Sequence, residues 1–191
     1  MSIIYFITHP EVVMDPALPV PQWHLSDKGI ARMKHFAASD VMQSVQHIWS
    51  SDETKAMEAA AILGAARGGL DISVMHALHE NDRSATGFLP PAEFEQVADA
   101  FFAKPDESVR GWERASDAQA RVRVVFETIV VSAGDGDVAI VAHGAIGTLL
   151  LCDLTGVPIA RVHDQPFQGH YWAWSRETKA LLHAWKPIAP R

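Results

Sequence analysis

One cysteine, Cys152, stands among 191 residues, which excludes an intramolecular disulfide and fits a reducing compartment. Basic residues are also scarce: 16 Lys and Arg face 23 Asp and Glu, a formal net charge of −7. Binding nucleic acid or an anionic membrane surface relies on clustered lysine and arginine, so neither is an expected partner; a small anion stays open, because a local cluster can oppose the global sign. Long apolar runs are missing too. The longest, near residues 138 to 151, is interrupted by His143 and two glycines and is too short to span a bilayer. The apolar start is short, lacks a basic leader and breaks at His9-Pro10, so no secretory signal is expected and the chain is placed in the cytoplasm. There is no internal repeat, low-complexity segment or linker. The remainder, 48% hydrophobic and 20% charged, is the composition of a globular protein with length for one domain over residues 1–191.

Two stretches organise the rest. Ile3-Ile4-Tyr5-Phe6-Ile7 runs straight into Thr8-His9-Pro10, and Val138-Ala139-Ile140-Val141-Ala142 runs into His143-Gly144. Each reads as a buried strand that delivers a histidine to its C-terminal end. Strand ends of this kind place a site at the carboxyl edge of a parallel sheet. Between them the spacing predicts a proline-rich loop over 10–23, a helix capped by Ser26, a strand over 45–50 and an alanine-rich helix over 53–66 stopped by Gly68-Gly69. A weaker strand holds Ile72 and Val74, and Leu78 to Arg83 forms a polar loop over the same sheet edge. A helix over 93–102 follows, then an amphipathic helix over 113–131 with Ala120, Val124 and Ile129 on its buried side, and a helix over 145–154. Residues 169–175 and 180–185 read as a hairpin, whose aromatic run Tyr171 to Trp174 offers an edge for a second copy, a homodimer. This alternation is an α/β fold: a mainly parallel central sheet covered by helices on both faces, in three layers.

Ten histidines are present, and only His9 and His143 stand out, by their place at strand ends. Lys55 adds an electrostatic argument. A cation in the first turn of a helix opposes the positive end of the helix dipole by about 0.3 to 1 kcal/mol unless an anion is shared there. Metal chemistry through His9, His143, Glu80 and Asp15 has no His-x-x-x-His or cysteine pair behind it, so no metal and no cofactor is expected.

Taken together, Thr8-His9-Pro10 after a strand, Ser50-Ser51 followed by Lys55-Ala56, Glu80 after the next strand, Glu113 with Arg121, and His143-Gly144 resemble the histidine phosphatase superfamily, phosphoglycerate mutase-like, over residues 3 to 155. The resemblance implies a phosphomonoester hydrolase working through a phosphohistidine on His9, with Glu80 as general acid and base. His143, Lys55 and Thr8 would hold the phosphoryl group, with Arg83 and Asp15 as further phosphate contacts. It departs from the family pattern where Arg-His-Gly becomes Thr8-His9-Pro10, the second arginine becomes Lys55 and an asparagine becomes Asp15. On this reading Arg83 restores charge, or instead pairs with Asp82 or Glu80 at the surface, and Thr8→Arg would tighten phosphate binding. Hydrolysis is expected over mutase action, on a small phosphorylated substrate. The alternative is a weakened, phospholigand-binding or regulatory protein on the same fold.

Overall fold

The computed structural model describes residues 2–190; the expected domain runs on to residues 1 and 191, which lie outside them. Six strands form one sheet: β1 (Ile3–Thr8), β2 (Val45–Ser50), β3 (Ile72–Val74), β4 (Asp137–Ala142), β5 (His170–Ser175) and β6 (Ala180–Pro187). Their order is β3-β2-β4-β1-β5-β6. The first four strands run parallel, while β5 lies antiparallel to β1 and β6 antiparallel to β5. Five helices flank them: α1 (Asp27–Ala37), α2 (Thr54–Ala66), α3 (Pro91–Ala103), α4 (Ala115–Ser132) and α5 (Gly144–Thr155).

The two apolar strands are central because both their faces are covered, as in parallel sheets generally. Alternate residues divide between the layers. Tyr5, Ile7, Ala139 and Val141 pack with α1 and α2, whereas Ile4, Phe6, Val138 and Ile140 pack with α4 and α5. Phe6 and Ile7 are both fully buried, worth about 1.5–3 kcal/mol each in transfer alone. Helix α3 brings Val97, Phe101 and Phe102 onto Trp112 and Leu149 in a separate cluster beside the sheet edge. Ser26 caps α1 by accepting the Gly29 N–H at 3.1 Å, and Gly156 closes α5 with φ 69°.

Two expectations change. The buried stripe of α4 is Ala118, Val122, Val125, Phe126 and Ile129, and Val124 is 63% exposed. Ala120 and Val124 stand two residues off that stripe, about 200° round the helix, so only Ile129 of the expected face is inside. Tyr171 to Trp174 form no free edge either: β5 is an inner strand between β1 and β6, buried along its length, and β6 is the edge. Among the described residues no helix is long and apolar enough to cross a membrane.

Register is what builds the site. Thr8 pairs with Ala142 across β1 and β4, and Ser50 pairs with Val141 across β2 and β4. The residues that follow, His9, His143 and Ser51, must therefore emerge side by side at one carboxyl edge, on strands about 4.8 Å apart. Helix α5 leaves that edge immediately, held close to β1. A Cβ on Gly147 would come within 2.5 Å of the Phe6 ring.

Candidate active site

At that edge the His9 and His143 rings meet edge to face, 66° between their planes and with centroids 5.3 Å apart. His9 Nδ1 lies 2.9 Å from the Pro10 carbonyl oxygen. A carbonyl only accepts, so the proton sits on Nδ1 and Nε2 keeps its lone pair. Burial, aided by the Lys55 ammonium, holds the His9 ring down to about 4, which leaves it neutral at neutral pH. Burial also pushes His143 well below the ordinary histidine value. His143 Nε2 faces Ser51 Oγ at 2.8 Å and Glu53 Oε1 at 3.5 Å, and its Nδ1 has no hydrogen-bond partner among the described residues.

Glu80 reaches the start of α5. Its Oε2 accepts the Ala145 N–H and its Oε1 the Ile146 N–H, both at 3.1 Å. Enclosure raises the carboxyl above the ordinary glutamate value, against the lowering pull of Arg83 and the Ala145 N–H. The loop carrying it is clamped from below. Arg121 donates to the carbonyls of Ala77 at 2.8 Å and His79 at 3.0 Å and grips Glu113 with two bonds, while Glu113 accepts the Asp82 N–H. Both residues were expected on the helix over 113–131; Glu113 lies just ahead of α4, and the pair acts as a positioning clamp.

His9, Glu80, Lys55 and Arg83 border a cavity of about 300 Å³, which opens beside an outer cavity of about 790 Å³ that shares Glu80 and Arg83. Lys55 is only 2% exposed, so it is no solvated lysine. Its Nζ pairs with Glu53 Oε2 and donates to the Val20 carbonyl at 3.0 Å. Its charge is met within the chain. Arg83 instead lies over the Phe94 ring at 4.9 Å and the Trp112 ring at 5.9 Å, and forms no ion pair with Asp82 or Glu80 among the described residues. Arg161, also at the cavity, is paired with Glu95 and Asp99, so among the described residues Arg83 is the cavity cation without an ion pair.

Three candidates do not border the cavity: His143, fully buried against His9, and two that serve other partners. The Thr8 hydroxyl is fully buried, accepts the His170 N–H at 2.9 Å and donates to Gln165 Oε1 at 2.6 Å, which leaves it nothing for a phosphoryl oxygen. An arginine at position 8 would have to displace those neighbours, so tighter binding by Thr8→Arg is no longer expected. Asp15 is also corrected: its Oδ1 accepts the Ala17 N–H at 2.9 Å within its own loop, and it does not border the cavity. A carboxylate turned on its own backbone is satisfied there and would repel a phosphate.

Glu53 was not foreseen as part of the site. It touches Lys55 and His143 and accepts the Glu80 N–H at 2.9 Å. Burial raises its carboxyl, and the facing His143 and Lys55 overcome this and hold it at about 2. Its sequence signal was faint: an acid between Ser51 and Lys55 at a helix start. Gln165, also at the cavity, gave no signal. Among the described residues no group of three His, Cys, Asp or Glu is placed to hold a metal ion.

Comparison decides the family, because the histidine phosphatase superfamily (branch 1) matches residues 10–176. The chain belongs to the histidine phosphatase superfamily. No curated protein matches it in sequence. Its fold is shared with solved members. A mycobacterial glucosyl-3-phosphoglycerate phosphatase superposes with TM-score 0.78 at 22% identity, over 99% of this chain and 100% of that one. An Escherichia coli protein described as a putative α-ribazole-5′-P phosphatase gives 0.78 at 18%, over 99% and 98%. A phosphoserine phosphatase from Entamoeba histolytica, solved with 3-phosphoglyceric acid, gives 0.78 at 13%, over 97% and 98%.

Proposed function

We propose that this histidine phosphatase hydrolyses phosphomonoesters through a phosphohistidine on His9. The observation that carries the reading is the ring of His9: proton fixed on Nδ1 by Pro10, Nε2 free, neutral at working pH, and facing a cavity shared with Glu80 and Arg83. In the first step the Nε2 lone pair forms the N–P bond as the bond from phosphorus to the leaving oxygen breaks, and the Glu80 carboxylic proton goes to that oxygen. In the second, Glu80 as carboxylate takes a proton from water, the water oxygen bonds to phosphorus, and the N–P bond breaks to return neutral His9. Arg83 stabilises the equatorial oxygens, and Lys55, held by Glu53 at the cavity wall, adds a lesser share. His143 presents its unpaired Nδ1 beside His9, and an arriving dianion favours its imidazolium, whose other N–H stays on Ser51 and Glu53.

The substrate is a small phosphorylated molecule, whose leaving group meets a partly apolar rim that includes Phe88, itself tilted against Trp23 at 5.7 Å. Because Glu53 neutralises Lys55 and Thr8 is occupied, a weaker phospholigand-binding role is the second reading. A panel of phosphomonoesters, assayed with strong chelator and no added metal, separates the two. Turnover that His9→Ala abolishes supports hydrolysis; phosphate binding without turnover of any ester supports the binding role.

A further inference from the structure

The Thr8 hydroxyl has one proton, and the His170 N–H at 2.9 Å already occupies a lone pair. That proton goes to Gln165 Oε1 at 2.6 Å in preference to the His170 carbonyl at 3.2 Å. With Oε1 tied back towards β1, the carboxamide must turn its Nε2, with two N–H groups, the other way. Among the described residues Nε2 has no hydrogen-bond partner, and it lies over the first turn of α5, where a Cβ on Gly144 would come within 2.5 Å of it. Glycine at 144 is what leaves room for this side chain. The backbone beside it is fixed as well: the Gln165 N–H and the Thr148 hydroxyl both donate to Asp164 Oδ1, at 2.8 and 2.7 Å. Gln165 thus borders the cavity of His9, Lys55 and Glu80 with its donor end free and both its anchors set before any ligand arrives.

We propose that Gln165 is a phosphoryl-oxygen ligand in this chain, with Thr8 as the positioning residue that aims its carboxamide; the assignment rests on the phosphatase reading above. Here a neutral amide supplies a hydrogen bond at a site where Lys55 is already neutralised by Glu53, so that Arg83 carries the net positive charge and Gln165 the direction.

Orthovanadate affinity, measured by competition against a turned-over phosphomonoester and by calorimetry, tests this. Gln165→Ala should weaken vanadate binding about ten- to hundredfold, the range for a hydrogen bond to a charged group. Gln165→Glu should weaken it further by adding repulsion. Thr8→Val should weaken it comparably, Thr8→Ser should restore it, and the Thr8→Val/Gln165→Ala double variant should be no worse than Gln165→Ala alone, a coupling that loss of fold stability would not produce. If Gln165→Ala binds vanadate within twofold of wild type, or more tightly, the Gln165 assignment fails while the phosphatase reading stands. A wild-type chain that neither binds vanadate nor turns over any phosphomonoester overturns both.

Discussion

Replacing Glu53 by glutamine tests the electrostatic frame on which the site stands. The carboxylate is buried, bonded to Lys55 Nζ and the Glu80 N–H, and 3.5 Å from His143 Nε2. Its pKa falls from an ordinary 4.5 to about 2. At about 1.4 kcal/mol per unit that shift caps the contribution at about 3.5 kcal/mol; His143 is uncharged at neutral pH, so there Lys55 and the Glu80 N–H carry it, and the effect is about 3 kcal/mol. The figure agrees with the ~3–5 kcal/mol cost of removing one partner from a buried ion pair. Because the folded pKa lies below the unfolded one, this stability is complete above about pH 4.5 and is lost as pH falls towards 2. Glu53→Gln should therefore lower stability by about 3 kcal/mol at pH 7, roughly 6–12 °C in Tm for a chain of this size. The gap to wild type should close on acidification through that window. Urea unfolding of both proteins from pH 8 down to the lowest pH at which wild type stays folded gives the curve. Adding Lys55→Met should recover part of the loss, since it removes the stranded ammonium. A gap under about 0.5 kcal/mol at pH 7, or one that widens in acid, refutes the reasoning.

The pH profile of kcat/KM should rise through an acid limb near 4, where His9 becomes neutral, and fall above the raised pKa of Glu80; an acid limb at 6 to 7 would show that the burial of His9 does not control it. Arg83→Met should weaken phosphate affinity about ten- to hundredfold, and Arg83→Lys should restore little because stacking on Phe94 needs the planar group; calorimetry with inorganic phosphate reads both. Asp15→Asn should leave phosphate affinity within twofold, since the carboxylate serves its own loop; a gain of tenfold or more would place it at the ligand.

How much was legible depends on whether a residue's position follows from local pattern. His9 and His143 were readable because unbroken apolar strands announce central positions, and parallel register brings their next residues together. Lys55 was legible as a cation at a helix start, whereas Glu80 and the Glu113–Arg121 pair came through the family resemblance alone. Ala120 and Val124 failed because valine and alanine near a helix stripe look alike from sequence, and only packing says which turn of α4 faces Phe126's neighbours. The aromatic run of β5 looked like an edge because the hairpin with β6 is local and legible, whereas the pairing of β1 along the other side of β5 is not. Thr8 and Asp15 carry side chains that can serve either a ligand or the chain itself: the backbone took Asp15, and Gln165 with the His170 N–H took Thr8. Gln165 was invisible for a plainer reason: its partner Thr8 is 157 residues away, and nothing in its own loop marks it.

The account rests on a nitrogen–phosphorus bond at His9, and rapid quench reads it directly. Mixing the enzyme with a labelled phosphomonoester and quenching within a turnover should trap an acid-labile, alkali-stable phosphate that peptide mapping places on His9 and that His9→Ala lacks. Steady turnover with no trapped phosphate, or label on any other residue, would contradict it.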